Sequence, residues 1–117
     1  MRRSERDIDQ LSVILRYCQR LDSSPDRFGH NYSAFLLDEM FQDSCSLCLI
    51  QIGEAVNRLS EEFKEAHSEI AWSRIYGMRC HLVHGYEMFD EEIAWDAITN
   101  EIPLLHDFCV AFADTSL

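Results

Sequence analysis

The sequence predicts an all-α fold, an up-down helical bundle of four to five helices in a single domain over residues 1–117. The length of 117 residues suits one domain. Only four Gly and two Pro occur, which is too few for a turn-rich β fold. Apolar residues recur at the helical period of 3.6 residues, and no segment alternates like a half-buried strand.

The first helix is predicted to begin near Ser4, a candidate N-cap. Its apolar positions follow the helical period and are Ile8, Leu11, Leu15 and Cys18. Because the residue before a proline is disfavoured in the α region, we expect this helix to end at residues 22–25, before Pro25. Residues 26–31 are predicted as a loop or a short helical turn.

The second helix is predicted over residues 32–59 and is the longest. Its apolar stripe covers much of the circumference, which indicates the central element of the bundle. Gly53 within it costs about 1 kcal/mol relative to Ala, so we expect a neighbouring helix to approach closely at this position. Ser60 is the predicted start of a short helix that continues to about His67.

The third main helix is predicted from Ser68 to about Gly85, a residue that can adopt the left-handed conformation beyond a helix end. Asp90 begins the last helix, where acidic residues favour the positive end of the helix dipole. Pro103 is expected to kink this helix or to break it into two. Trp72 and Trp95 are interpreted as anchors of the core or of a dimer interface.

The formal net charge of −11 opposes broad affinity for nucleic acid, since phosphate contacts need Lys and Arg. Any nucleic-acid chemistry must therefore come from a local site. No run of eighteen apolar residues occurs, so no membrane span is expected. The charged start lacks the apolar region of a secretory signal, and a cytoplasmic location is expected.

The five cysteines are interpreted as reduced, mostly buried thiols. Cys45 and Cys48 form a CxxC pattern, but no second pair completes a zinc site. His81 and His84 are spaced so that their side chains could bind one metal ion, yet no third ligand is obvious. No histidine has a Glu three residues before it, as the Glu-x-x-His metal motif of helical bundles requires. We therefore predict no metal and no cofactor.

The chemically informative segment contains Arg79, His81, His84 and Tyr86. On a continuous helix Arg79 and Tyr86 share a face, whereas Arg79 and His84 diverge by about 140°. A helix end just after His84 relaxes this constraint and can turn His84 and Tyr86 toward Arg79. The negative end of the helix dipole there favours protonated His84.

These side-chain types suit the cleavage of RNA. A histidine can take the proton of the ribose 2′-OH or give one to the leaving oxygen, and the planar fork of Arg79 matches phosphate oxygens. Tyr86 can bind a phosphate or stack on a base. A two-fold dimer would supply two copies of His84, one as base and one as acid. From the residue types alone, the favoured alternative is that this segment has no catalytic role and is the end of a helix capped by a histidine.

The pattern Arg79-x₄-His84-Gly85-Tyr86 matches a known signature, Arg-x₄-His-x-Tyr. Further matching runs are Asp43 with Gly53-Glu54-Ala55, then Trp72-x-x-Ile75-x-Gly77-Met78-Arg79, and finally Asp90, Trp95 and Ile102-Pro103-Leu104-Leu105. Over about residues 7 to 110 the chain therefore resembles the HepT-like toxins of the HEPN superfamily.

This resemblance implies a HEPN-like homodimer and a metal-independent endoribonuclease that leaves a 2′,3′-cyclic phosphate at a dimer-interface site. It also implies that the protein is the toxin of a type VII-like toxin–antitoxin system. The partner would be an MntA-like nucleotidyltransferase antitoxin, and toxin and antitoxin could form a higher-order complex. Arg79 would bind phosphate, His84 would transfer protons, and Tyr86 would contact substrate and receive AMP. Apart from the resemblance, His81 is a candidate substrate contact, with a plain, partly exposed residue as the alternative.

Two residues would support this site. Glu54 lies on a largely apolar helix. If its carboxylate is buried it needs a partner, for which Arg79 is suited, and the alternative is an ordinary surface acid. Cys80 departs from the family, in which the residue after the arginine is commonly Asn, so an amide is replaced by a weakly polar thiol. Two alternatives stay open: a non-catalytic helical module that binds nucleotide or scaffolds a nucleotidyltransferase, and a metal-binding bundle.

Overall fold

The computed structural model describes residues 3–29, 31–84 and 90–116. Four long helices form the bundle: α1 Arg3–Phe28, α3 Glu39–Arg58, α5 Trp72–His84 and α7 Ile102–Ser116. Three short helices connect them: α2 Tyr32–Leu37, α4 Glu61–Ala66 and α6 Glu91–Asp96. A π-helical turn, Ala97–Glu101, joins α6 to α7. Within these ranges there is no strand, and the predicted all-α bundle is confirmed.

Helix α3 lies at the centre, with α1 and α5 packed against it and α7 packed against α1. The largest fully buried side chains include Phe35, Phe41, Ile14, Ile52 and Leu105. Trp72 is buried in this core, and Trp95 packs on it with its ring 5.2 Å from that of Phe35. Both tryptophans therefore anchor the core. No helix within the described ranges is long and apolar enough to cross a membrane.

Helix α1 does not end before Pro25, as the sequence predicts, but continues through it to Phe28. Proline has no N–H, so the carbonyl of Leu21 loses its usual donor. The Ser24 hydroxyl donates to that carbonyl at 2.8 Å and replaces the missing bond. The helix then ends at Gly29, whose φ of +130° is accessible to glycine.

The prediction of one continuous helix over residues 32–59 is wrong, because Asp38 separates this segment into α2 and α3. Asp38 has an extended backbone, and its carboxylate accepts hydrogen bonds from the N–H groups of Met40 and Phe41. The Gln42 side chain donates to the carbonyl of Phe35 at 2.9 Å and closes the end of α2. A strong N-cap therefore prevails over the continuous apolar pattern.

Helix α5 begins at Trp72, later than the predicted Ser68. The Trp72 indole donates to the carbonyl of His67 at 3.0 Å, which holds the preceding residues in a turn. The predicted stop at Gly85 lies outside the described residues. Pro103 does not break the last helix into two: the chain stays helical from α6 through the π-helical turn into α7, and Pro103 lies in the first turn of α7.

The cysteines lie as predicted, since four of the five are buried and all are free. Burial raises the pKa of Cys45 and of Cys109 to about 12. Desolvation also raises the pKa of Cys18 and of Cys48. These four thiols therefore stay protonated near neutral pH and act as small apolar residues of the core. Cys80 is the partly exposed cysteine.

Among the residues whose burial the structure describes, Asp7 is the buried charged one, with 6% of its surface exposed. Its carboxylate accepts a hydrogen bond from the Ser60 N–H and another from the Ser60 hydroxyl, both at 2.8 Å. The Ser60 hydroxyl in turn accepts from the N–H of Phe63 and caps α4. Asp7 thus ties the start of α1 to the start of α4.

Replacing Asp7 with Ala is expected to lower the free energy of unfolding by about 1.5 kcal/mol, because two donors lose a charged acceptor in a partly buried setting. Urea unfolding monitored by circular dichroism measures the change. Asp9→Ala, at an exposed position of the same helix, makes the same change of charge and should leave the free energy unchanged. Equal losses in both variants would show that the Asp7–Ser60 contact contributes nothing specific.

Candidate active site

Arg79 lies where α5 packs directly against Gly53 of α3. A Cβ built on Gly53 would overlap the Cβ of Arg79 and lie 2.9 Å from its Cγ and 3.5 Å from its Cα. The close helix approach predicted at Gly53 is therefore present, and the residue in contact is Arg79. The glycine lets the arginine backbone sit directly on α3.

The Arg79 guanidinium forms an ion pair through Nε with a carboxylate oxygen of Glu54, the residue next to Gly53. The two side chains are 21% and 27% exposed, so both are largely shielded from water. Nε itself is buried, which means that the exposed part of Arg79 comes from its other atoms. Glu54 also lies 3.8 Å from Nη2 of Arg58, whose side chain is 56% exposed. The carboxylate thus pairs with the guanidinium at its buried Nε.

Cys80 and Tyr76 complete the surroundings of the arginine. Nη1 of Arg79 lies 3.9 Å from Sγ of Cys80, and Cζ lies 5.8 Å from the centre of the Tyr76 ring. The pKa of Arg79 is raised, first by its hydrogen bond to Cys80; burial opposes this rise and Glu54 adds to it. A hydrogen bond to Cys80 is also the main cause that raises the pKa of Tyr76. Arg79 therefore remains a cation, and Tyr76 remains a neutral phenol, near neutral pH.

The structure brings together some of the predicted site residues. Glu54, Arg79 and Cys80 form one cluster. His81 is exposed and points away from Arg79, because side chains two residues apart on a helix differ in direction by about 160°. His84 is the last residue of α5, but the placement of its side chain lies outside what the structure describes, as does all of Tyr86. The predicted approach of His84 and Tyr86 to Arg79 stays a prediction.

Tyr76 is a member of this cluster that sequence reasoning missed. It precedes Cys80 by four residues and Arg79 by three, the two spacings that place helical side chains side by side. That spacing was the available signal. Among the described residues, no three His, Cys, Asp or Glu side chains are placed to hold a metal ion.

The surface formed by the described residues contains grooves that are open to solvent. One of about 620 Å³ lies between α3, α4 and the start of α5, and Tyr76 forms part of its wall. A larger groove of about 720 Å³ lies between the end of α1 and the first half of α3, near Arg20 and Ser44. Of the predicted site residues that the structure describes, none lines either groove. The smaller groove is linked to Arg79 through Tyr76, whose ring centre lies 5.8 Å from Cζ of Arg79.

The fold and the site together define a class of protein. It is a small helical domain in which a carboxylate on the central helix pairs with the guanidinium of one arginine and preorganises it. The family model described as Ribonuclease HepT-like matches residues 13–112, which is most of the chain. The chain belongs to this family, and the resemblance found from its motifs is confirmed.

Several relatives are similar to the chain. One from Caldanaerobacter subterraneus subsp. tengcongensis, named as a predicted RNase, is 39% identical over 95 residues, or 81% of this chain and 83% of that protein. The "Probable ribonuclease HepT" of Thermococcus cleftensis is 34% identical over 74 residues, or 63% of this chain and 67% of that protein. A predicted RNase of Methanocaldococcus jannaschii is 33% identical over 72 residues, or 62% and 60% respectively. No solved structure matches the chain significantly.

Proposed function

We propose that this protein is a metal-independent RNA endonuclease in which Arg79 binds the scissile phosphate. The observation that carries the proposal is the ion pair between Arg79 and Glu54, which fixes the guanidinium on the central pair of helices. Membership of a ribonuclease family and relatives that are named as RNases support it. A cation held in one geometry stabilises developing charge without reorganisation during the reaction.

The reaction follows from the residue types. One His84 takes the proton of the ribose 2′-OH, and the oxygen attacks the adjacent phosphorus. The bond from phosphorus to the 5′-oxygen breaks, and a second His84 gives that oxygen a proton, which leaves a 2′,3′-cyclic phosphate. A homodimer supplies both histidines and two copies of Arg79 around one cleft. This assignment concentrates binding at one site, as a chain with a net charge of −11 requires.

The finer biological role follows the resemblance. In this proposal the protein is one domain, acts in the cytoplasm and is the toxin of a type VII-like toxin–antitoxin system. An MntA-like nucleotidyltransferase antitoxin neutralises it by adding AMP to Tyr86. AMP adds bulk and negative charge two residues from His84, which would repel an RNA phosphate from the cleft.

The purified protein incubated with cellular RNA and EDTA tests the activity, beside Arg79→Ala and His84→Ala variants. We expect cleavage by the wild type in the presence of EDTA and none by either variant, because each loses one required group. Mass spectrometry of the wild type first establishes that Tyr86 carries no AMP.

Each other outcome separates an alternative. Intact RNA with unmodified protein would overturn the endonuclease proposal and favour a non-catalytic module that binds nucleotide or scaffolds a nucleotidyltransferase. Activity that EDTA abolishes would indicate a metal site instead. Cleavage that survives in Arg79→Ala would remove Arg79 from the mechanism.

A further inference from the structure

The groove between α3, α4 and α5 has the dimensions of a ligand site. Its volume of about 620 Å³ falls within the range of about 300–1,000 Å³ typical of small-molecule pockets. Val56, Ile70 and the buried Trp72 form an apolar floor. Asn57 and Ser73 are exposed polar residues on its rim. An apolar floor with a few polar groups at the rim suits a flat, uncharged ring system.

Tyr76 connects this groove to the arginine. Its ring forms part of the groove wall and also lies 5.8 Å from Cζ of Arg79. A phosphate bound to the guanidinium would therefore lie beside the end of the groove. Within one nucleotide the phosphate and the base are joined through a single sugar, so a base attached next to that phosphate can reach the groove.

The charges of the groove disfavour a second phosphate there. Glu61 and Glu65 line it, and Lys64, the cation of the lining, is paired with Glu61 at 3.1 Å. Because Glu61 neutralises the Lys64 ammonium, Glu65 leaves the charged residues of the lining with a net charge of −1, which repels phosphate. The neutral part of a nucleotide, its base, is compatible with the same surface, and the Asn57 amide offers a donor and an acceptor to a base edge.

We propose that this groove binds the nucleobase next to the phosphate held by Arg79, with Tyr76 as the wall between the base and phosphate positions. The inference rests on the proposed function, because it places an RNA phosphate at Arg79. In this proposal Tyr76, Asn57 and the floor of the groove bind substrate, and the base that they contact belongs to single-stranded RNA.

The binding test uses a fully 2′-O-methylated RNA oligonucleotide, which lacks the attacking hydroxyl and stays intact. Fluorescence anisotropy compares the wild type with Ala71→Trp, which fills the groove from an exposed position. We expect Kd to rise about tenfold, the size of one lost base contact. Ala111→Trp, an exposed alanine on α7, is the matched control and should bind like the wild type. Asn57→Ala provides a second variant that removes a groove contact without adding bulk.

The cleavage test uses oligonucleotides that span a mapped cleavage site and carry one free 2′-OH. In separate substrates, the base on one side or the other of the scissile phosphate is left out. We expect removal of one of the two bases to raise KM about tenfold for the wild type and to have no effect in Ala71→Trp. Unchanged Kd and KM in the groove variants would overturn the inference while leaving the nuclease intact. Groove-dependent binding without any cleavage would overturn the nuclease proposal instead.

Discussion

Gly53→Ala is expected to lower the free energy of unfolding by about 2 kcal/mol and to reduce RNA cleavage about a hundredfold. The new methyl group would overlap the Cβ of Arg79, which is fixed to the backbone of α5 and cannot rotate away. Overpacking of this kind costs about 3 kcal/mol. The gain in helix propensity from Gly to Ala returns only about 1 kcal/mol, so the steric cost prevails.

The loss of activity has a geometric cause. To relieve the overlap, α5 must move away from α3, and Arg79 moves with it. A displacement of about 1 Å at a group that positions substrate can cost about a hundredfold in rate. The rate of cleavage at a temperature where the variant remains folded measures this effect separately from stability.

Gly77 provides the matched control on the partner helix. A Cβ built at Gly77 meets no atom within 4 Å, and the residue is exposed within α5. Gly77→Ala should therefore stabilise the protein by about 1 kcal/mol through helix propensity and leave cleavage unchanged. Urea unfolding of both variants gives the comparison. A Gly53→Ala protein as stable and as active as Gly77→Ala would contradict the close contact between the helices.

The bundle itself could be predicted from the sequence because apolar periodicity and helix caps are local signals. Ser60 and Asp90 cap the helices that they were predicted to begin. Two of the errors arose where two local signals competed. At Asp38 a capping carboxylate interrupts an apolar pattern that continues through it, and at Pro25 a neighbouring serine compensates for the missing donor. Periodicity alone does not show which signal prevails.

The candidate site could be predicted in part for a similar reason. Gly53 and Glu54 each violate the expectation for an apolar helix, so each signalled a neighbour, and that neighbour is Arg79. Tyr76 violates nothing, since an aromatic residue on a helix is ordinary. Its role depends on which face of α5 meets α3, and that is a property of tertiary packing. The contact of Asp7 with Ser60, which joins residues 53 positions apart, was beyond prediction for the same reason.

Glu54→Gln is the second prediction with a large effect: kcat should fall at least about tenfold while KM stays unchanged or decreases. The amide keeps the shape of the carboxylate but loses the charge that holds Nε of Arg79. A fork free to rotate loses part of its preorganisation, which lowers the rate of the chemical step. The uncompensated guanidinium attracts phosphate at least as strongly as before, so ground-state binding does not weaken. Steady-state cleavage of a defined oligonucleotide separates the two constants.

Arg58→Gln distinguishes the buried partner of Glu54 from the exposed one. Arg58 lies 3.8 Å from the same carboxylate with more than half of its side chain in water. Pairs of this kind contribute little, about 0.5 kcal/mol or less. Its loss should therefore change kcat less than twofold. If Glu54→Gln were as active as Arg58→Gln, Glu54 would serve packing alone and Arg79 would be positioned by α5 and Cys80. If KM rose instead of kcat falling, the carboxylate would act in binding, and the orientation of the guanidinium would not limit the chemical step.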